Sequence, residues 1–148
     1  MTQSHVRTQL RAAVAALLTP LVASSASVLI GRRRPTRDSQ MPALLVFTDD
    51  ETGERISTDE LARHVELAVR VRLTSTGEPP QDLLDAMAAR VEVALMVDPT
   101  LGRLVKNLVY SRTHGGLPSP MTDRQPGEID IVYIAEVHTT PGDPTTAV

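Results

Sequence analysis

From Val65 to Leu73 apolar and polar residues alternate without a break. Val65, Leu67, Val69, Val71 and Leu73 occupy the odd positions; Glu66, Ala68, Arg70 and Arg72 occupy the even ones. Successive side chains of a strand point to opposite faces, so this segment buries one face and shows a mostly charged one. The strand is expected to start near Leu61. After the turn-rich stretch from Thr74 to Pro80 the period becomes helical. Leu84, Met87, Val91 and Leu95 form a stripe, with Leu83 and Ala94 beside them, and predict a helix from about Pro80 to Val97. Proline suits its first turn, where the missing N–H is no loss.

The rest of the chain follows the same logic. Val6, Leu10, Val14, Leu17 and Leu21 recur at spacings of three and four, which predicts an amphipathic helix over about Ser4 to Thr19, closed by Pro20. A competing reading of this segment is a secretory signal peptide, since Arg7 and Arg11 precede an apolar run and Ala23 to Ser27 are small. A short strand, Val28 to Ile30, comes next, then a basic loop from Arg32 to Arg37. The segment from Pro42 to Thr48 reads as a strand apolar on both faces. The acidic stretch from Asp49 to Arg55 reads as a turn or hairpin tip. Asp98-Pro99 reads as a helix restart, giving a short third helix to about Asn107. Strands follow at Leu108 to Thr113 and Glu128 to His138, separated by a long Gly- and Pro-containing loop from His114 to Gly127. In the last strand Ile129, Ile131, Tyr133, Ala135 and Val137 share one face, with Val132 and Ile134 on the other.

These elements predict an α/β (α+β) fold. It is a single-domain sandwich over residues 1–138, with a mostly antiparallel, mixed sheet of four to five strands and helices packed on one face. The tail, 139–148, is expected to be disordered.

Composition narrows the function. The apolar share of 41% supports a core, but Phe47, Tyr110 and Tyr133 are the only aromatics. Such a core is shallow, and a subunit interface is one way to complete it. A net charge of −3 and few stacking platforms argue against a dedicated nucleic-acid binder. The absence of cysteine removes disulfides, thiolate metal sites and a thiol nucleophile. No run approaches the ~20 apolar residues of a membrane-spanning helix.

No reaction is specified. His5, His64, His114 and His138 lack ligand spacing, so neither a metal site nor a cofactor is expected. The serines have no nucleophile elbow, and Gly115-Gly116 precedes no helix. No catalytic residue is assigned. The basic run Arg32, Arg33, Arg34 with Arg37 repels itself unless something acidic meets it, which makes it a candidate partner contact. The other candidates are the acidic Asp49, Asp50 and Glu51, and the loop residues Met121, Asp123 and Arg124. A hard cation at the acidic cluster is less expected than a solvated tip. Val132 and Ile134 are candidate subunit-interface residues.

Several segments, taken in order, resemble the lambdoid phage minor tail protein U (tail terminator) family. They are His5 to Val14, Met41 to Phe47 before the acidic tip, Glu66 to Val71, Leu84 to Val91, Met96 to Leu101, and Ile129 to Ile134. The resemblance covers roughly residues 5 to 138 and rests on order, spacing and scattered identities. It implies a non-enzymatic structural protein of the virion, assembled in the host cytoplasm. A homohexameric ring of it would cap the head-proximal end of the tail tube and stop tube polymerisation at the length set by the tape measure. The implied partners are the chain itself, the tail tube protein, the tape measure protein and a head completion or connector protein. DNA would pass through the lumen without sequence-specific binding, and no membrane is involved. The basic loop and the Pro-rich loop depart from the family pattern. The alternative, of a different class, is a small oligomeric regulatory or ligand-binding α/β domain, which a pocket with convergent polar groups would favour.

Overall fold

The alternating segment becomes the central strand of the sheet. A computed structural model of the protein describes residues 3–23, 27–31, 42–75, 80–115 and 125–148. Its elements are α1 (Val6–Leu18), β1 (Val28–Ile30), β2 (Ala43–Arg55), β3 (Leu61–Ser75), α2 (Pro80–Leu95), β4 (Asn107–Gly115) and β5 (Gln125–Thr139), with a 3-10 turn at Thr19–Leu21. The strands form one sheet in the order β1-β2-β3-β5-β4. β1 lies parallel to β2, and every other pairing is antiparallel. The fold is therefore the single-domain α+β arrangement that the pattern predicts.

Both helices cover the face of β3 that carries Val65, Leu67, Val69, Val71 and Leu73. β5 brings Ile129, Ile131, Tyr133, Ala135 and Val137 to the same face, and β2 brings Leu44 and Val46. α1 presses Val6, Leu10, Val14 and Leu18 onto it at a spacing of four, and α2 adds Leu84, Met87, Val91 and Leu95. The segment predicted as an amphipathic helix, for which a signal peptide was the competing reading, is thus a helix packed into the domain core. The five β3 side chains alone stabilise the fold by on the order of 10 kcal/mol, before chain entropy is subtracted. Tyr133 is fully buried beneath this layer, and Tyr110 packs edge-on against it at 5.9 Å. Burial, with Glu92 and Tyr110 nearby, pushes the Tyr133 hydroxyl up to about 12.

Three expectations are corrected. The predicted third helix is a series of turns over 96–104. Asp98 folds back on itself, its carboxylate accepting from the Gly102 N–H at 2.8 Å and the Thr100 hydroxyl at 3.0 Å. Leu101, Gly102 and Arg103 then take φ values of 49°, 68° and 69°, which a right-handed helix cannot continue. The acidic stretch is not the hairpin tip. β2 continues through it to Arg55, and the tip is 56–60, where the Ile56 and Ser57 N–H groups donate to the Glu60 carbonyl.

The tail, expected to be disordered, is placed. Gly142, at φ 85°, helps the chain reverse after β5. The returning residues pair Ala147 with Thr139, and the Val148 N–H donates to the His138 carbonyl. Helix α1 explains why. Its first-turn N–H groups have no partner inside the helix. The Pro144 carbonyl accepts from the Val6 N–H at 2.8 Å, and the Thr145 carbonyl accepts from the Gln9 side chain at 2.7 Å.

Removing 141–148 should therefore loosen α1 and lower the unfolding free energy by roughly 2–4 kcal/mol. Urea unfolding followed by circular dichroism measures this. An unchanged midpoint would mean that the tail contributes nothing.

Candidate functional site

Among the described residues no helix covers the even-numbered face of β3. It is covered instead by a ladder of ion pairs. Arg70 stands opposite Asp130 in the β3–β5 register, and Arg72 stands opposite Glu128. The Arg70 guanidinium donates to both Asp130 oxygens, at 2.7 and 2.9 Å, and lies 3.3 Å from Glu128. Arg72 donates to Glu128 at 2.7 Å. Arg112 reaches across β5 from β4 to Glu66 at 2.6 Å. Below these charges Phe47, Ala68 and Val132 form a small buried cluster, with the Arg70 guanidinium 5.1 Å above the Phe47 ring. The hydrogen bond to Asp130 raises the Arg70 pKa further, against the effect of burial.

Arg112 reaches this face because of a bulge. Tyr110 pairs with Tyr133, and Arg112 pairs with the next residue, Val132, so Ser111 is the extra one. The same device governs the acidic cluster. Thr48 pairs with Leu67 and Glu51 with Val65, so Asp49 and Asp50 together oppose Glu66. Both are exposed. Glu51 is turned to the helix face, where it meets Arg63 at 3.1 Å and Arg7 of α1 at 3.6 Å. Its Oε1 is buried and has no hydrogen-bond partner among the described residues. Next to it His5 caps α1, accepting from the Arg7 N–H, and its pKa is lowered by burial and then by Arg7.

Of the other sequence candidates, Val132 is only 4% exposed and is enclosed within the chain, whereas Ile134 is half-buried beside exposed Val109. Arg32, Arg33, Arg34, Arg37, Met121, Asp123 and Arg124 lie outside the described residues. One working residue escaped the sequence reading. His138 sits between two carboxylates, with Nδ1 2.6 Å from Glu60 and Nε2 2.7 Å from Glu136. It ties the hairpin tip to β5. The pairing of Ala62 with His138 is the feature that brings them together, and it is long-range, so no local pattern announces it.

Several large apolar side chains stand exposed. Val93, Met96 and Val97 stand exposed along the outer side of α2 and just beyond it, Ile56 at the hairpin tip, and Val109 and Tyr110 on the edge strand β4. Every residue of β4 except Leu108 is exposed. Among the described residues no cluster of three or more His, Asp or Glu could hold a metal ion, and no helix is long and apolar enough to cross a membrane.

The His138 clamp should give the protein a pH-dependent stability. Burial works against the charged ring, but the bonds to Glu136 and Glu60 prevail and raise the His138 pKa above 6.5. A raised pKa stabilises fully below 6.5, and the effect is lost as pH rises through the folded value. Glu136 is lowered from 4.5, chiefly by its bond to His138, so its share is present above 4.5 and lost as pH falls through its folded value. Urea midpoints should therefore fall between pH 6 and pH 8, and His138→Gln should flatten that slope. An equal slope in both proteins would place the titration elsewhere.

Arg70 supports the fold as well as facing outward. Arg70→Asp would set a carboxylate against Asp130 and Glu128 and should cost about 3 kcal/mol, whereas Arg70→Met, which keeps the stem over Phe47, should cost less. Chemical denaturation of the two variants compares them directly; equal losses would mean that the charge is unimportant.

No match is found among curated proteins. Among solved structures, a chain of the virion of a native gene transfer agent particle is similar, at 19% identity and a TM-score of 0.46, covering 90% of this chain and 92% of that one. The profile of the family described as phage minor tail protein U matches residues 5–140. The chain therefore belongs to the phage minor tail protein U family and is a structural protein of the phage tail.

Proposed function

We propose that the chain is the tail terminator of its virion. Six copies close into a ring on the head-proximal end of the tail tube. The ring ends tube polymerisation at the length set by the tape measure protein and presents the surface to which the head completion or connector protein docks. Assembly takes place in the host cytoplasm, and DNA passes through the lumen without sequence-specific contacts. The observation that carries this reading is the family match across residues 5–140. The exposed surfaces support it. β1 and β4 are unlike edges of one sheet, and Val93, Met96 and Val97 stand exposed on and just beyond α2, so different patches of the same chain are open to contact. Unlike patches that meet head to tail generate closed rings when the rotation closes. A ring also removes the wet sheet edge that β4 leaves on a lone subunit.

The loops meet the other tail and head proteins. In this reading Arg32, Arg33, Arg34 and Arg37 contact acidic surface, with Met121, Asp123 and Arg124 on a second loop. Asp49 and Asp50 present acid from the β2 bulge, while Glu51 serves the fold through Arg63 and Arg7. No catalytic step is assigned to any residue.

A tube subunit adds to an exposed end as long as that end stays free. A terminator occupies the same end and offers no further site. Depleting the protein should therefore leave unjoined heads beside tails longer than normal, seen by electron microscopy. Tails of normal length on DNA-filled heads would refute the terminator reading and return the regulatory-domain alternative.

A further inference from the structure

Two separate features of the surface fit one another. The first is the tip of the β2–β3 hairpin. Ile56 stands at its apex with 52% of its surface exposed. Glu54 and Asp59 flank it, both exposed and neither ion-paired among the described residues. The other charges of the tip are occupied: Arg55 turns back onto the Ser57 and Thr58 carbonyls, and Glu60 holds His138. The tip therefore presents one exposed apolar side chain, Ile56, with two available carboxylates beside it.

The second feature is a groove of about 400 Å³ between the end of α1 and the outer side of α2, lined by Leu21, Ala89, Arg90, Val93 and Ala94. Val93 is 70% exposed there. Arg90 is the charged residue of the lining, is exposed, and makes no ion pair among the described residues. Glu92, also exposed on α2, is not among the lining residues. α1 runs from Glu51, which Arg7 meets, back past Thr48, which Arg11 meets, so its last turn and Leu21 lie toward the start of β2. A second groove on the far side of Arg90 is lined partly by Pro42, Leu73 and Thr74. Ile56 is not among the residues that line either groove, so the chain does not fill them with its own tip.

We infer that the occupant of this groove is the hairpin tip of a second copy of the chain. Ile56 enters between Leu21 and Val93, and Glu54 and Asp59 of the same tip meet Arg90. The tip offers an apolar side chain with acidic flanks and the groove is apolar with a basic wall, so shape and charge agree. Tip and groove are different patches, which makes the contact heterologous and repeatable from copy to copy. The inference rests on the proposed ring and names the contact that closes it.

The absence of native cysteine makes the test clean. Full-length protein carrying both Ile56→Cys and Val93→Cys is oxidised, alone and on purified tails. A ladder of disulfide-linked copies on a non-reducing gel, ending at the ring number, supports the contact; mixing the two single variants should stop at dimers. Arg90→Glu should reduce rings by about tenfold, and Glu54→Arg with Asp59→Arg should restore them within about threefold. Rings visible by electron microscopy without cross-links overturn this contact and leave the ring intact. The absence of both rings and cross-links overturns both. Ile56→Cys joining to itself, or a photo-reactive label on it capturing a tube subunit instead of a second copy, also overturns the contact.

Discussion

β3 lies between β2 and β5, and its odd-numbered side chains form the floor on which both helices rest. Placing both helices there leaves the opposite face of the sheet to water. That face must be polar enough to stay soluble and still hide Phe47, Ala68 and Val132. The arginine–carboxylate ladder does both. It also holds the pairing in register, because a slip of one residue would expose Val69 and oppose Arg70 to an apolar neighbour. Apolar alternation and cross-strand charge thus specify the same alignment of β3 with β5. Agreement of this kind between local and long-range preference separates one native pairing from its competitors.

Where the period was long and regular, the sequence was a sufficient guide. The alternation from Val65 to Leu73 and the stripe from Leu84 to Leu95 both name the side chains found in the core. The last strand was equally legible, from Ile129 to Val137. Legibility failed where a single side chain redirects the backbone. Asp98-Pro99 resembles a helix start, yet the Asp98 carboxylate caps a turn instead. Bulges are invisible to a period of two, so Glu51 read as an outward acid although it faces α1. The tail read as disordered because its polar composition says nothing of the orphan N–H groups of α1, 138 residues before Pro144 in the chain order Val6 to Pro144. His138 shared that fate, since its partner Glu60 comes from another strand.

The two bulges deserve comparison. Each inserts one residue, and each turns a charged side chain toward a partner that simple alternation would deny it: Glu51 toward Arg63 and Arg7, Arg112 toward Glu66. Each also increases local twist. On β4 this acts on an edge strand, where added twist and a surface arginine discourage indiscriminate strand pairing.

The ordering of the strands has a consequence for synthesis. β5 is the last strand made, yet it lies between β3 and β4. Neither neighbour can complete its hydrogen bonding on that side until β5 has left the ribosome. α1, the first element made, then waits for the Pro144 carbonyl. Vectorial folding is therefore of little use to this domain, which must hold an unfinished sheet until β5 has been made. Sheets dominated by such distant pairings fold on the millisecond-to-second scale. Until then the half-sheet of β2 and β3 leaves its apolar floor uncovered, so the nascent chain is open to chaperones and to association with its own kind.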